Sequence, residues 1–188
     1  MRSFVSSVRL ILTAVAICAL PLTAAAQTVT EPHTVTVTPF LSAAFGTSAD
    51  LGKSLGLGVA VGYDLTTKLG FEGEIGHVFD VLGDDANIDW SLTNFSGNAV
   101  YNFRMPRVTP YATFGIGVER SGIDVKNPDP AASYLASSTE VSYNFGGGVK
   151  YPITELFVAR GDVRRFQATD VAPDYWRVYG GLSWWIKR

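Results

Sequence analysis

Ten charged residues recur on one side of a two-residue rhythm: Lys68, Glu72, Glu74, Arg104, Glu119, Lys150, Arg160, Asp162, Arg164 and Arg177. Side chains two apart share one face of a β-strand. Two carboxylates on one face, as at Glu72 and Glu74, could divide acid and base roles if their surroundings differ. Here they share their face with Lys68, Arg104, Lys150, Arg160, Arg164 and Arg177, so the chemistry implied is ion pairing. The reading is a structural charge network, with no catalytic residue assigned.

Other constellations are incomplete. Asp85-x-Asn87-x-Asp89 supplies the first three ligands of a calcium loop, but Trp90 stands at the sixth position and Ser96 at the twelfth. The segment reads instead as a solvated acidic loop. Gly56-x-Gly58-x-x-x-Gly62 lacks the spacing and following helix of a phosphate loop, and reads as glycines on one strand face. His33 and His77 are the only imidazoles and Cys18 the only thiol, so neither a metal site nor a cofactor is expected. A formal net charge of −2 gives no case for nucleic acid.

The elements that carry these residues follow from composition and period. Charged residues are 17% and aromatics 12%, with 19 glycines, yet no apolar run after the N-terminus is long enough for a membrane helix. The first 26 residues read as a Sec signal peptide. Arg2 and Arg9 are followed by an apolar stretch over 10–22 and by Ala24, Ala25 and Ala26, with cleavage expected after Ala26. Residues 27–188 form the expected barrel domain, without a thiol.

Period-two alternation predicts eight strands, at about 34–45, 53–65, 68–79, 88–104, 108–120, 139–151, 155–166 and 175–186. In the fourth, Ile88, Trp90 and Leu92 are apolar on even positions, whereas Phe95, Ala99, Tyr101 and Phe103 are apolar on odd ones. That phase slip predicts a bulge near Thr93 and Asn94. Short turns follow strands two, four and six. Longer connections follow strands one, three, five and seven, the longest over 121–138. Charges facing lipid are costly, at about 2–4 kcal/mol for a midplane Arg or Lys. The ten charges therefore point inward, and the fold class is all-β: an eight-stranded antiparallel up-and-down transmembrane β-barrel with short periplasmic turns and longer extracellular loops. Eight strands leave an interior that side chains can fill. Small inward residues of strands two, five and six are expected to make room for the arginines of strands seven and eight. Tyr63, Tyr101, Phe103, Tyr151, Phe157 and Trp184 would form one aromatic girdle, and Phe45, Phe79, Trp90 and Trp176 the other.

With the stretches GVAVGYDLTTKLGFEGEIGHVFD, VTPYATFGIGVER, YNFGGGVKYPITELFVARGDVRRF and WRVYGGLSWW, the chain resembles the OmpA/OmpX-like, or porin-family, outer-membrane β-barrels. The resemblance implies a bacterial outer-membrane location, with outer-membrane lipids, lipopolysaccharide and the barrel-assembly machinery as partners. The family's usual terminal aromatic is displaced here by Ile186, Lys187 and Arg188. Some such barrels modify lipid A with a membrane-edge His and a Ser, but His77-Val78-Phe79 offers no Ser two residues on. The expected role is non-enzymatic: envelope integrity, or surface interaction through the 121–138 connection to an unidentified ligand. The alternatives are a narrow porin-type pore and a lipid-A-modifying enzyme.

Overall fold

The alternation of apolar and polar residues folds as an antiparallel sheet that closes on itself. The structure is a computed structural model describing residues 30–46, 53–79, 88–125, 136–169 and 174–187. The expected signal peptide, the acidic residues 80–87 and the middle of the longest connection lie outside the described residues.

Eight strands are described: β1 (Thr34–Gly46), β2 (Lys53–Asp64), β3 (Leu69–Val78), β4 (Ile88–Asn102), β5 (Thr109–Val125), β6 (Ala136–Pro152), β7 (Phe157–Ala168) and β8 (Tyr175–Lys187). Each pairs antiparallel with the next, and β8 closes against β1. Closure removes both sheet edges, so no strand is left with an unpaired rim. Each strand has the length, about 9–11 residues or more, that a tilted bilayer crossing needs.

The short turns at one end have a local cause. Thr66 Oγ1 accepts from the backbone N–H of Lys68 at 3.1 Å and of Leu69 at 2.9 Å. Thr154 Oγ1 does the same for Leu156 at 3.2 Å and Phe157 at 3.1 Å. A hydroxyl that satisfies two successive N–H groups holds the chain in a tight reversal. This end is periplasmic, and the longer connections are extracellular.

The outer wall is apolar. Leu41 and Leu55 are each 73% exposed and Ile116 is 64% exposed. A water-facing surface made of such residues would aggregate, whereas a bilayer takes it as solvent. Tyr63, Tyr101, Phe103 and Trp184 stand exposed toward the periplasmic end, and Phe45 and Phe79 toward the other.

Two expectations are corrected. No bulge interrupts β4: its register runs without a shift against both β3 and β5. Leu92 instead points inward and is buried, because the extracellular end of the interior is apolar. The register shift lies between β1 and β8, at Val35 and Thr36. Finally, β5 and β6 run to 17 residues each, so 121–125 and 136–138 are strand and not loop. Beyond the bilayer a strand needs no apolar face, so the alternation fades where the ladder continues.

Candidate functional site

Inside the barrel, three arginines from β7 and β8 meet three carboxylates. Because the order of strands is sequential around the wall, β7 stands opposite β3. Arg160 crosses the interior to pair with Glu72. Arg164 Nη2 lies 2.8 Å from Glu72 Oε1, and its Nε lies 2.9 Å from Asp162 Oδ1. Arg164 Nη1 stands 3.1 Å from Glu74 Oε2, near enough for an ion pair although the two are not aligned for a hydrogen bond. Arg177 of β8 pairs with Glu74 and donates to Asn94 Oδ1 at 3.0 Å. Arg164 is 0% exposed and Arg177 1%. Guanidinium groups so deeply buried persist only when their charge and most donors are matched.

Aromatic rings complete the surroundings. Arg160 Nε donates to the Tyr111 hydroxyl at 2.7 Å, and that hydroxyl in turn donates to Asp162. The Arg160 guanidinium lies 4.6 Å from the Tyr111 ring centre, and Arg177 lies 4.5 Å from that of Phe166. Such cation–π contacts strengthen in a desolvated site. Room for Arg177 comes from β3, where a side chain on Gly76 would come within 2.8 Å of Arg177 Nη1. Of the strands expected to supply that room, β2 makes space for Phe40 at Gly58 and β6 for Tyr111 at Gly148.

The ten expected charges are thus placed in three groups. Glu72, Glu74, Arg160, Asp162, Arg164 and Arg177 come together. Lys150 points inward over the Tyr111 ring at 5.5 Å, and Glu119 is buried nearer the extracellular end; among the described residues neither forms an ion pair. Lys68 and Arg104 lie exposed in the periplasmic turns and do not join the interior. The alternation runs unbroken through turn residues, so their parity alone misassigned them. Tyr111, Asn94 and Tyr179 contribute polar contacts. Parity places Tyr111 and Tyr179 on the inward face, but only the register shows which charges they touch.

Toward the periplasmic end, Asp64, Glu72, Lys150, Arg160 and Trp185 border a cavity of about 20 Å³. That is room for about one water molecule. At the extracellular end, Ala44, Val78, Leu92, Phe166 and Tyr175 form an apolar cluster, with the Phe166 and Tyr175 rings stacked at 5.0 Å.

The two histidines lie far apart in the barrel. His33 shares a hydrogen bond of 2.8 Å with the Tyr63 hydroxyl at the periplasmic rim. His77, on the outer face, shares one of 2.8 Å with Thr93. The sequence offered no hydroxyl partner for His77. Thr93 is found only through the β3–β4 register. The side chains of the calcium-like segment fall outside the described residues, and no group of metal-ligating side chains is present among the described residues. Gly56, Gly58 and Gly62 lie within β2.

Comparison with known proteins agrees with this geometry. The family described as outer membrane protein beta-barrel domain matches residues 10–183. Among solved structures, Neisserial surface protein A is similar at 16% identity and a TM-score of 0.66, over 80% of this chain and 96% of that one. OprG from Pseudomonas aeruginosa is similar at 11% identity and 0.63, over 86% and 99%. Ail, the attachment invasion locus protein of Yersinia pestis, is similar at 17% identity and 0.56, over 82% and 99%. A search of curated proteins finds no match. A closed antiparallel barrel with an apolar outer wall and charges held inside, matched over nearly its whole length by that family, is a member of it: the chain belongs to the outer-membrane β-barrel proteins and resides in the bacterial outer membrane.

Proposed function

We propose that the barrel is closed to solutes and serves the envelope as a rigid, non-enzymatic membrane element that presents its extracellular strands and connections to the surface. The observation that carries this reading is the set of ion pairs from Arg160, Arg164 and Arg177 to Glu72 and Glu74 on the far wall. Side chains that tie opposite walls leave no continuous water column between them. A pore would need these charges to stand apart and hydrated.

A surface-interaction role is supported by the long β5 and β6, which extend beyond a bilayer crossing. It is supported also by the similar barrel of Ail, which is by name an attachment protein. Residues 1–26 act in this reading as the Sec signal peptide, and the assembly machinery and lipopolysaccharide as partners during and after insertion. Proteoliposomes loaded with a polysaccharide and diluted into iso-osmolar arabinose test closure. No swelling above empty liposomes is expected, and swelling at a rate that scales with protein would replace this reading with a narrow pore.

A second reading rests on His77 and Thr93, an imidazole and a hydroxyl in contact on the lipid-facing side. That pair resembles a base and its nucleophile. No described carboxylate orients the ring, since its hydrogen bond goes to Thr93 alone. Altered lipid A acyl chains in an overexpressing strain, lost on His77→Ala, would establish the enzyme instead.

A further inference from the structure

The outer face of β3, β4 and β5 carries two features, one above the other. Gly73 and Gly97 face each other in the β3–β4 register, and Gly97 faces Ile116 of β5. A side chain at either glycine would meet nothing within 4 Å. With Ala99 they floor a notch of about 510 Å³, walled by Phe71, Phe114 and Ile116. An unfilled hollow on a lipid-facing wall forfeits the dispersion contacts its lining could make.

Four residues nearer the extracellular end, on the same three strands, His77, Thr93 and Arg120 face one another in the same register. His77 shares its hydrogen bond with Thr93, and its ring stands edge-on to Phe79 at 4.6 Å. Arg120 is exposed on this outer face, with no hydrogen bond or ion pair from any described residue. Four residues span about 13 Å along a strand, or about 10 Å along the normal at the usual tilt. The apolar band of such barrels is about 25 Å tall, so half of it is about 12 Å. A notch at the midplane would put the polar row just inside the edge of that band, from where an arginine side chain reaches the headgroups.

Resting on the reading of lipopolysaccharide as a partner, we propose that this face binds one phosphorylated, multiply acylated glycolipid of the outer leaflet. Its phosphate sits on Arg120, its sugar hydroxyls on His77 and Thr93, and one acyl chain in the Gly73–Gly97 notch. A guanidinium without a partner among the described residues, at headgroup height, is matched best by a phosphate oxygen pair. The donors and acceptors of His77 and Thr93 suit a sugar.

The far side of the barrel provides an internal contrast. Gly180 also has open space beside it, in a notch of about 520 Å³ near Pro39 and Leu57. Four residues above it on β8 is Trp176, and the cation facing Trp176, Arg165, is already paired with Asp174 at 2.9 Å. Among the described residues, that face has a hollow but no unpaired cation facing the residue above it.

The test is native mass spectrometry of the full barrel in detergent, titrated separately with diphosphoryl lipid A, its dephosphorylated form and phosphatidylglycerol. Diphosphoryl lipid A should be retained best. Arg120→Gln and Gly97→Leu should each weaken its binding by about tenfold or more, whereas Gly180→Leu leaves it unchanged. Heat-modifiability on gels shows which variants fold, and the exposed Arg120→Gln decides the matter if Gly97→Leu does not. The proposal is overturned if Arg120→Gln binds as the wild type does, or if phosphatidylglycerol binds equally well. It is overturned too if Gly97→Leu retains lipid but turns a dimer into a monomer, since the notch would then hold a second copy. The lumen plays no part in this site, so solute flux and lipid binding can fail separately.

Discussion

The middle of the barrel interior and its extracellular end are both buried, yet opposite chemistries fill them. In the middle, six charged groups from β3, β7 and β8 neutralise one another across the lumen. Two to four strand positions higher, Leu92, Phe166 and Tyr175 pack as an apolar cluster, and Glu119 lies buried without an ion pair among the described residues. The middle gains rigidity from paired charges that would be ruinous alone. The end gains it from apolar contact that any matching volume could supply. Removing one member should therefore cost most where its partners are stranded.

That contrast can be broken or sharpened by substitution, read as urea unfolding in detergent or as heat-modifiability. Arg164→Leu leaves Glu72, Glu74 and Asp162 with only Arg160 and Arg177 to match their charge, and should cost the most, about 3–5 kcal/mol. Leu92→Ala opens a cavity in the apolar cluster and should cost about 3 kcal/mol. If it costs more than Arg164→Leu, the apolar end and not the charge network holds the barrel. Ile116→Arg sets the reference for the outer wall, where a charge facing lipid should cost about 2–3 kcal/mol. Tolerance there would mean that the two faces are assigned the wrong way round. Glu119→Gln should have the smallest effect, within about 0.5 kcal/mol or slightly stabilising, because a buried carboxylate without an ion pair gives up little as an amide. A loss comparable to Arg164→Leu would show that Glu119 has a cation partner after all.

The same contrast explains what could be read from the sequence. Charges every second residue, as at Arg160, Asp162 and Arg164, can face only inward in a membrane barrel, so the strand count, the polarity of the faces and most of the network follow from period alone. Leu92 could not be read, because an inward apolar residue looks like a lipid-facing one. The same ambiguity gives an apparent phase slip where the register is continuous. Lys68 and Arg104 share the parity of the network but lie past the strand ends, and parity carries no information about where a strand stops. The contact of Arg164 with Glu72 joins residues 92 apart. Only closure of the barrel decides that pairing. His77 and Thr93, 16 apart, needed the β3–β4 register in the same way.

The cross-lumen pairs make one central claim, that water finds no continuous path through the barrel. Single-channel recording of the purified protein in planar bilayers tests it most directly. The wild type should insert without reproducible conductance steps across the accessible voltage range. Uniform steps that recur from one insertion to the next would contradict the closed lumen.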